Sequence, residues 1–370
     1  MYSVGVYLSI VKKYSERVCV MASAAQRRIK SISYAKYGYI FILPFFIVYF
    51  FFQLYPLINT FIVSFYGNGP NVEEAVGFEN YKTILFGGDR RANAIHKAFL
   101  KSLGNTFILW IGNFIPQIAL SLSLAVWFTE ANLKIPGKGF FKVVMYLPNI
   151  ITAASVAVLF LQLCGQSESN PGFINLLLSK MGIVEYNEAS KLYDTIPLIQ
   201  GVWESRFVVM FIQTWMWFGN TMIMLMSGIQ GINPSLFEAA SIDGASSGQV
   251  FTKITLPLLS PIMAYTLVTS MIGGLQMFDI PKLYSATVNP DEDLRTVAVL
   301  IYEYFHAQMD ENKMGLAGAA SVILFFITLV LGIISFYITR DKDEIAKKKQ
   351  RKKIAKQLKQ ESKQFGGFSI

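Results

Sequence analysis

The chain has 370 residues, of which 53% are hydrophobic, 14% aromatic and only 15% charged. Soluble domains carry about 25% charged residues, so a wholly water-facing surface is excluded. The two cysteines, Cys19 and Cys164, and the two histidines, His96 and His306, offer neither a disulfide framework nor a metal-binding motif. The net charge of +9 would suit nucleic acid, but the placement of the basic residues argues for a membrane.

Crossing a bilayer core takes about 20 apolar residues in helical form. Six stretches free of Asp, Glu, Lys and Arg meet that length: 37–66, 102–129, 143–165, 207–237, 262–278 and 314–339. Six in succession exclude buried helices of a soluble core, and the chain reads as an all-α integral membrane protein with six transmembrane helices. The first stretch holds Pro44 and Pro56, which predicts a crossing helix near 39–55 followed by a kinked extension or an interfacial segment to Phe65. The fifth runs directly into Asp279.

The connecting segments divide into two sets. Segments 1–36, 129–142, 233–262 and 340–370 hold 22 Lys and Arg residues, whereas 67–101, 166–206 and 282–314, of nearly equal total length, hold 11. The positive-inside rule therefore puts the first set, and both termini, in the cytoplasm. The N-terminal tail 1–36 does not read as a secretory signal, because its apolar piece 2–11 precedes the basic cluster Arg27, Arg28, Lys30 instead of following one. The run Lys347–Lys353 directly follows a span and reads as a topology anchor that attracts anionic lipid, not as a nucleic-acid patch.

Between the fourth and fifth spans, 233–261 reads as a helix-turn-helix. Asn233 suits an N-cap and Pro234 the first helical position. Glu238 stands just beyond the first turn. Gly244 suits a left-handed C-cap, Ser246 or Ser247 can cap a second short helix, and Pro257 is expected to end it. A helix resting on lipid is rich in Lys and Arg. This segment has only Lys253, so it reads as a knob that docks a soluble partner.

Polar residues within the spans mark a candidate substrate path: Asn105, Asn113 and Gln117 in the second, Asn149 and Gln162 in the third, Gln213, Trp215, Trp217 and Asn220 in the fourth, Gln276 and Asp279 in the fifth. A sugar needs hydrogen-bonding groups for its hydroxyls and aromatic faces for its C–H surfaces. Singly, each amide can merely tie helices together and each Trp can mark the lipid interface. Amides on four spans together point to a wet pathway. Asp279 is the sharpest candidate, since an ionisable group at a span's edge is functional by default; a structural pair with Lys282 is the alternative. Nothing in the chain matches the phosphate-cradling G-x-x-x-x-G-K-[ST] loop, and no nucleophile–base pair stands out.

The run Glu238-Ala239-Ala240, Asp243-Gly244-Ala245, Phe251, Ile254, Leu256-Pro257 and Pro261 resembles the EAA loop of binding-protein-dependent ABC permeases, in particular their sugar branch. The resemblance extends to Leu43-Pro44, Tyr55-Pro56 and Ser64-Phe65, to Gly77-Phe78-Glu79-Asn80-Tyr81, to Asn105-Thr106, to Gly137–Phe141 before Leu147-Pro148, and to Gly315–Ser321. The two tails are longer than the family pattern, and Thr287–Pro290 lacks its usual glycine pair. The resemblance implies a type-1 importer permease fold, with residues 102–339 as the permease domain, preceded by the first span (37–66) and the loop 67–101. It implies that the loop is a coupling helix seated in a cleft of a separate ATPase, which carries the ATP and Mg. It further implies a second, related permease, two ATPase subunits and an extracytoplasmic sugar-binding protein in a bacterial plasma membrane. Glycerol 3-phosphate importers share the loop pattern, but a phosphate ester would want basic groups in the spans, and there are none. An ion-driven secondary transporter would show buried charges in its spans, and a membrane enzyme clustered His, Asp or Glu; neither is seen.

Overall fold

The computed structural model describes residues 35–68, 74–130, 133, 135–165, 172–187, 192–193, 196–199, 201–285, 293–307, 313–339 and 350–354. Most of both tails and the Thr287–Pro290 stretch lie outside these residues. The chain forms two units, 1–60 and 61–370.

The first span is α1, Ala35–Tyr49, and α2, Tyr55–Val63, joined through a π-turn at Phe50–Leu54. The expected kink is thus absorbed, and the helix continues about eight residues beyond residue 55. Pro56 offers no N–H to the carbonyl four residues earlier, and its ring crowds that carbonyl. Widening the preceding turn, with the Tyr55 N–H donating to the Phe50 carbonyl oxygen, relieves the crowding. Phe45 stacks on Tyr49 one turn later, at 6.2 Å between ring centroids.

In the second unit, α3, Glu79–Phe86, leads into α4, Arg90–Thr129, a 40-residue helix whose N-cap Asp89 accepts from the Ala92 N–H. The third span is broken. Lys138–Tyr146 (α5) with a 3-10 turn at Leu147–Asn149, and Ala153–Leu163 (α6), meet at 95°. Pro148 and the extended backbone of Thr152, whose side chain accepts from the Ser155 N–H, form the break. Counting the bent pair as one span, the described residues hold six apolar spans. A short helix α7, Gly172–Lys180, and a two-residue hairpin pairing Tyr186 with Tyr193 precede α8, Val202–Gln230.

The 231–246 segment carries α9, Pro234–Ile242, after which α10, Ser247–Val250, passes through a second π-turn, Phe251–Thr255, into α11, Leu256–Leu275. Pro257 therefore does not end the second helix, contrary to expectation. The π-turn again stands immediately before a proline, with the Leu256 N–H donating to the Phe251 carbonyl oxygen, so the fifth span grows continuously out of the docking loop. The chain closes with α12, Asp279–Ser285, α13, Val297–Phe305, and α14, Met314–Thr339.

Small residues bring the helices together. A Cβ at Gly219 would collide with the Met145 carbonyl oxygen, at Gly274 with the Trp110 ring, at Gly228 with Ile262, and at Gly112 with Met210. Close backbone approach of this kind replaces the hydrophobic drive that a lipid solvent cannot supply. One apolar core joins α4, α6, α8 and α12 around Ile212, Val209 and Tyr284; another joins α3, α4, α11, α13 and α14 around Phe99, Leu300 and Ala320.

The Gly77–Tyr81 motif is structural. Asn80 donates to the backbone carbonyls of Ser64 at 2.9 Å and Tyr66 at 2.7 Å, and accepts from Asn68 at 2.8 Å. Asn68 in turn accepts from the Leu316 N–H at 3.0 Å. A Cβ at Gly315 would strike the Tyr66 carbonyl oxygen, which explains a glycine where α14 begins.

Candidate functional site: a polar cavity and a docking knob

A cavity of about 430 Å³ opens between α4, α8, α11 and the start of α12. Trp110, Asn113 and Gln117 reach it from α4, one helical turn apart. Gln213, Trp217, Asn220 and Thr221 reach it from α8 with the same period, and Tyr265, Thr266, Thr269, Ser270 and Gly273 from α11. Gln276, Phe278 and Asp279 close one end. The wall thus alternates amides and hydroxyls with aromatic faces.

Of the eleven candidates for a substrate path, Asn113, Gln117, Gln213, Trp217, Asn220, Gln276 and Asp279 line this cavity. Trp217, Asn220, Gln276 and Asp279 are exposed to it, whereas Gln117 and Gln213 are buried in the wall. Gln117 donates to the Thr221 hydroxyl at 2.8 Å, and Asn113 to the Leu109 carbonyl at 2.8 Å. Asn105 and Asn149 lie elsewhere and tie helices: Asn149 donates to the Met216 carbonyl at 3.3 Å, fixing the break of the third span against α8. Gln162 is exposed outside the cavity, and Trp215 packs between two apolar cores. The hydroxyl stripe of α11 was not among the sequence candidates, although its 266–269–270 spacing is a helical face that the sequence displays. Asp279 does not pair with Lys282, which bonds to Glu303 at 3.2 Å instead.

Asn105 belongs to a second polar assembly at the far ends of these helices. Arg206, only 7% exposed, donates to the Asn105 side-chain oxygen at 2.7 Å and to the Asp293 carbonyl at 3.2 Å, and packs on Trp203 at 5.0 Å. Lys101 pairs with the Asp293 carboxylate at 3.0 Å. Asn105 also donates to the Arg295 carbonyl at 3.1 Å, Thr106 accepts from the Val297 N–H at 3.0 Å, and Thr296 donates to the Met277 carbonyl at 2.7 Å. Backbone 293–297 is thereby clamped to the second, fourth and fifth spans.

The 231–250 loop has the helix caps that its sequence predicts. Asn233 caps α9 by accepting from the Ser235 N–H at 3.1 Å. Gly244, at φ +71°, ends it in a Schellman motif, in which the Ala245 N–H donates to the Ala240 carbonyl and the Gly244 N–H to the Ser241 carbonyl. Ser246 and Gln249 form a capping box. Glu238, Ala239, Asp243 and Gly244 are exposed, and Ile242 is 86% exposed; Ala240 is buried beneath them and Ala245 is half-buried. Phe251, Ile254, Leu256 and Pro257 belong to the π-turn and first turn of α11, where they root the knob in the fifth span.

These features define a polytopic helical membrane protein with a polar, aromatic-walled cavity between spans and a rigid, solvent-exposed knob at one end of the bundle. Residues 106–341 match the family described as binding-protein-dependent transport system inner membrane component, and the chain belongs to that family. It is 27% identical over 322 residues to the arabinooligosaccharides transport system permease protein AraP of Bacillus subtilis (strain 168), covering 86% of this chain and 94% of the relative. It is 26% identical over 323 residues to the lactose transport system permease protein LacF of Rhizobium radiobacter, covering 87% of this chain and all of the relative. Among solved structures, a bacterial ABC transporter involved in the import of the acidic polysaccharide alginate superposes with a TM-score of 0.65 at 22% identity, over 85% of this chain and 98% of that one. The fold is that of ABC importer permeases.

Proposed function

We propose that the chain is one permease subunit of an ATP-driven importer and that its cavity forms part of the pathway for a carbohydrate across the plasma membrane. The observation that carries this reading is the cavity wall, in which amides and hydroxyls alternate with Trp110, Trp217, Tyr265 and Phe278 at about 430 Å³. That combination serves a polyhydroxylated solute with apolar C–H faces. The names of the relatives, which include arabinooligosaccharide and lactose systems, support the same substrate class.

In this reading α9 seats in a cleft of a separate ATPase, where the ATP and Mg are bound, and a related second permease completes the pathway. An external binding protein delivers the sugar to the opposite face. Closure of the ATPases moves the knob; because α10, the π-turn and α11 are one continuous helix, that motion passes directly to the hydroxyl stripe of the cavity. Alternation between two discrete packings then exposes the cavity to one side or the other.

Replacing Glu238 and Gly244 together by arginine is expected to abolish co-purification of the ATPase while the permease still inserts in the membrane. ATPase binding that persisted unchanged would refute the role assigned to the loop. Substrate class is tested separately, by ATP-dependent accumulation of labelled oligosaccharides in proteoliposomes holding the whole complex.

A further inference from the structure

The cavity is chemically one-sided. Among the described residues its lining includes one charged side chain, the Asp279 carboxylate, and no Lys, Arg or His. Asp279 is exposed to the cavity and has no ion-pair partner among the described residues. The nearest cation in sequence, Lys282, is held by Glu303 at 3.2 Å and lies over the Tyr302 ring at 5.4 Å. Arg295 is held by the same Glu303 at 3.4 Å, and Arg206 by Asn105 and Asp293. Each of these cations is thus engaged by a carboxylate outside the cavity lining, whereas the Asp279 carboxylate is part of that lining.

From this we infer that Asp279 is a specificity-determining residue: it admits neutral oligosaccharides and turns away acidic ones, such as those built from uronic acids. The inference rests on the proposed carbohydrate pathway and narrows its substrate class. A carboxylate is an acceptor only, so it binds a pair of neighbouring sugar hydroxyls, both of which donate. A second carboxylate in the same place has no proton to donate and is repelled. Within a cavity walled by helices the effective dielectric is well below that of water, so like charges a few ångströms apart oppose each other strongly enough to weaken binding by about tenfold or more.

The test uses the assembled full-length complex in lipid nanodiscs, without the external binding protein, so that only the membrane part selects. The probes are tetragalacturonate, its carboxyl-reduced neutral form, arabinotetraose and maltotetraose, titrated to millimolar concentration. At least one neutral probe is expected to bind, with tetragalacturonate at least about tenfold weaker. Asp279→Asn should bring the acidic probe to within about threefold of its reduced form, and Asp279→Glu should restore the gap. Should the asparagine variant fail to assemble, the wild type still decides the matter: raising the salt concentration screens a charge-based gap and must narrow it. Equal binding of acidic and neutral probes by the wild type, a gap that salt does not narrow, or a gap that Asp279→Asn leaves in place, overturns the filter. If no neutral probe binds at all, the carbohydrate reading itself falls and the filter with it, an outcome distinguishable because no acid–neutral ratio then arises.

Discussion

A few buried side chains do structural work that charge alone would not have suggested. Arg206 is buried yet makes two hydrogen bonds, to Asn105 and to the Asp293 backbone, besides its contact with the Asp293 carboxylate at 3.7 Å. Truncating it to alanine leaves the Asn105 oxygen without that donor and part of the 293–297 clamp undone. A buried polar group deprived of its partner costs about 1–3 kcal/mol, so Arg206→Ala should lower the thermal unfolding midpoint of the purified protein by several degrees. Arg206→Lys should recover part of the loss, because an ammonium can serve one acceptor of the fork but not its planar pair. At Gly219 the constraint is spatial. Gly219→Val forces atoms into the Met145 carbonyl, and overpacking of about 1–3 kcal/mol should again appear as a lower midpoint, without any change in charge. The amide candidates divided on the same physical ground. A sequence displays Asn and Gln in apolar stretches but not which way they face, so Asn105 and Asn149, which bond to backbone carbonyls of neighbouring segments, resembled Asn220 and Gln276, which face the cavity.

At the scale of elements, the caps of α9 and the N-cap of α10 were legible because each rests on local chemistry: an Asn before a Pro, a Gly able to take positive φ, and a Ser ahead of a short helix. The breaks and joins were less so. Pro257 was expected to stop a helix, and Pro56 to kink one, but a helix can widen by one residue per turn just before a proline and continue, as Phe50–Leu54 and Phe251–Thr255 both do. That choice depends on tertiary support for the carbonyls that lose their partners, which no local pattern encodes. The 95° break at Ile150–Thr152 is likewise fixed from outside, by the Asn149 bond to α8. The knob offers a direct test of its own cap. A non-glycine residue held in the left-handed region costs about 1 kcal/mol or more. Gly244→Ala should therefore fray the last turn of α9 and speed hydrogen exchange at the 243–245 amides by about fivefold or more, while the unfolding midpoint of the whole protein barely moves. Unchanged exchange at those amides would mean that the Schellman turn does not govern the rigidity of the knob.

For the whole molecule, the central question is which end faces the cytosol, because the proposed drive and the proposed topology stand together. With the bent third pair counted as one crossing, the proposed topology has six crossings, and their alternation puts 231–246 on the opposite side from the 166–201 segment. The twofold excess of Lys and Arg in the set that contains the knob is the ground for proposing that this set is cytoplasmic. Knob residues contribute almost nothing to that excess, since 233–262 holds only Lys253; the assignment comes from the tails and the 129–142 loop. Topology and docking role are thus inferred from different residues and can be tested against each other. In a Cys19→Ser background, with Cys164 buried, a cysteine at Ile242, 86% exposed, and another at Met181, 66% exposed, report on the two ends. A membrane-impermeant maleimide should label the Met181→Cys variant in intact spheroplasts and the Ile242→Cys variant only after permeabilisation. Bound ATPase should then shield Ile242→Cys in permeabilised membranes and leave Met181→Cys untouched. The reverse labelling pattern would put the knob where no ATP is available, and the continuous helix from α10 to α11 would then have nothing to transmit.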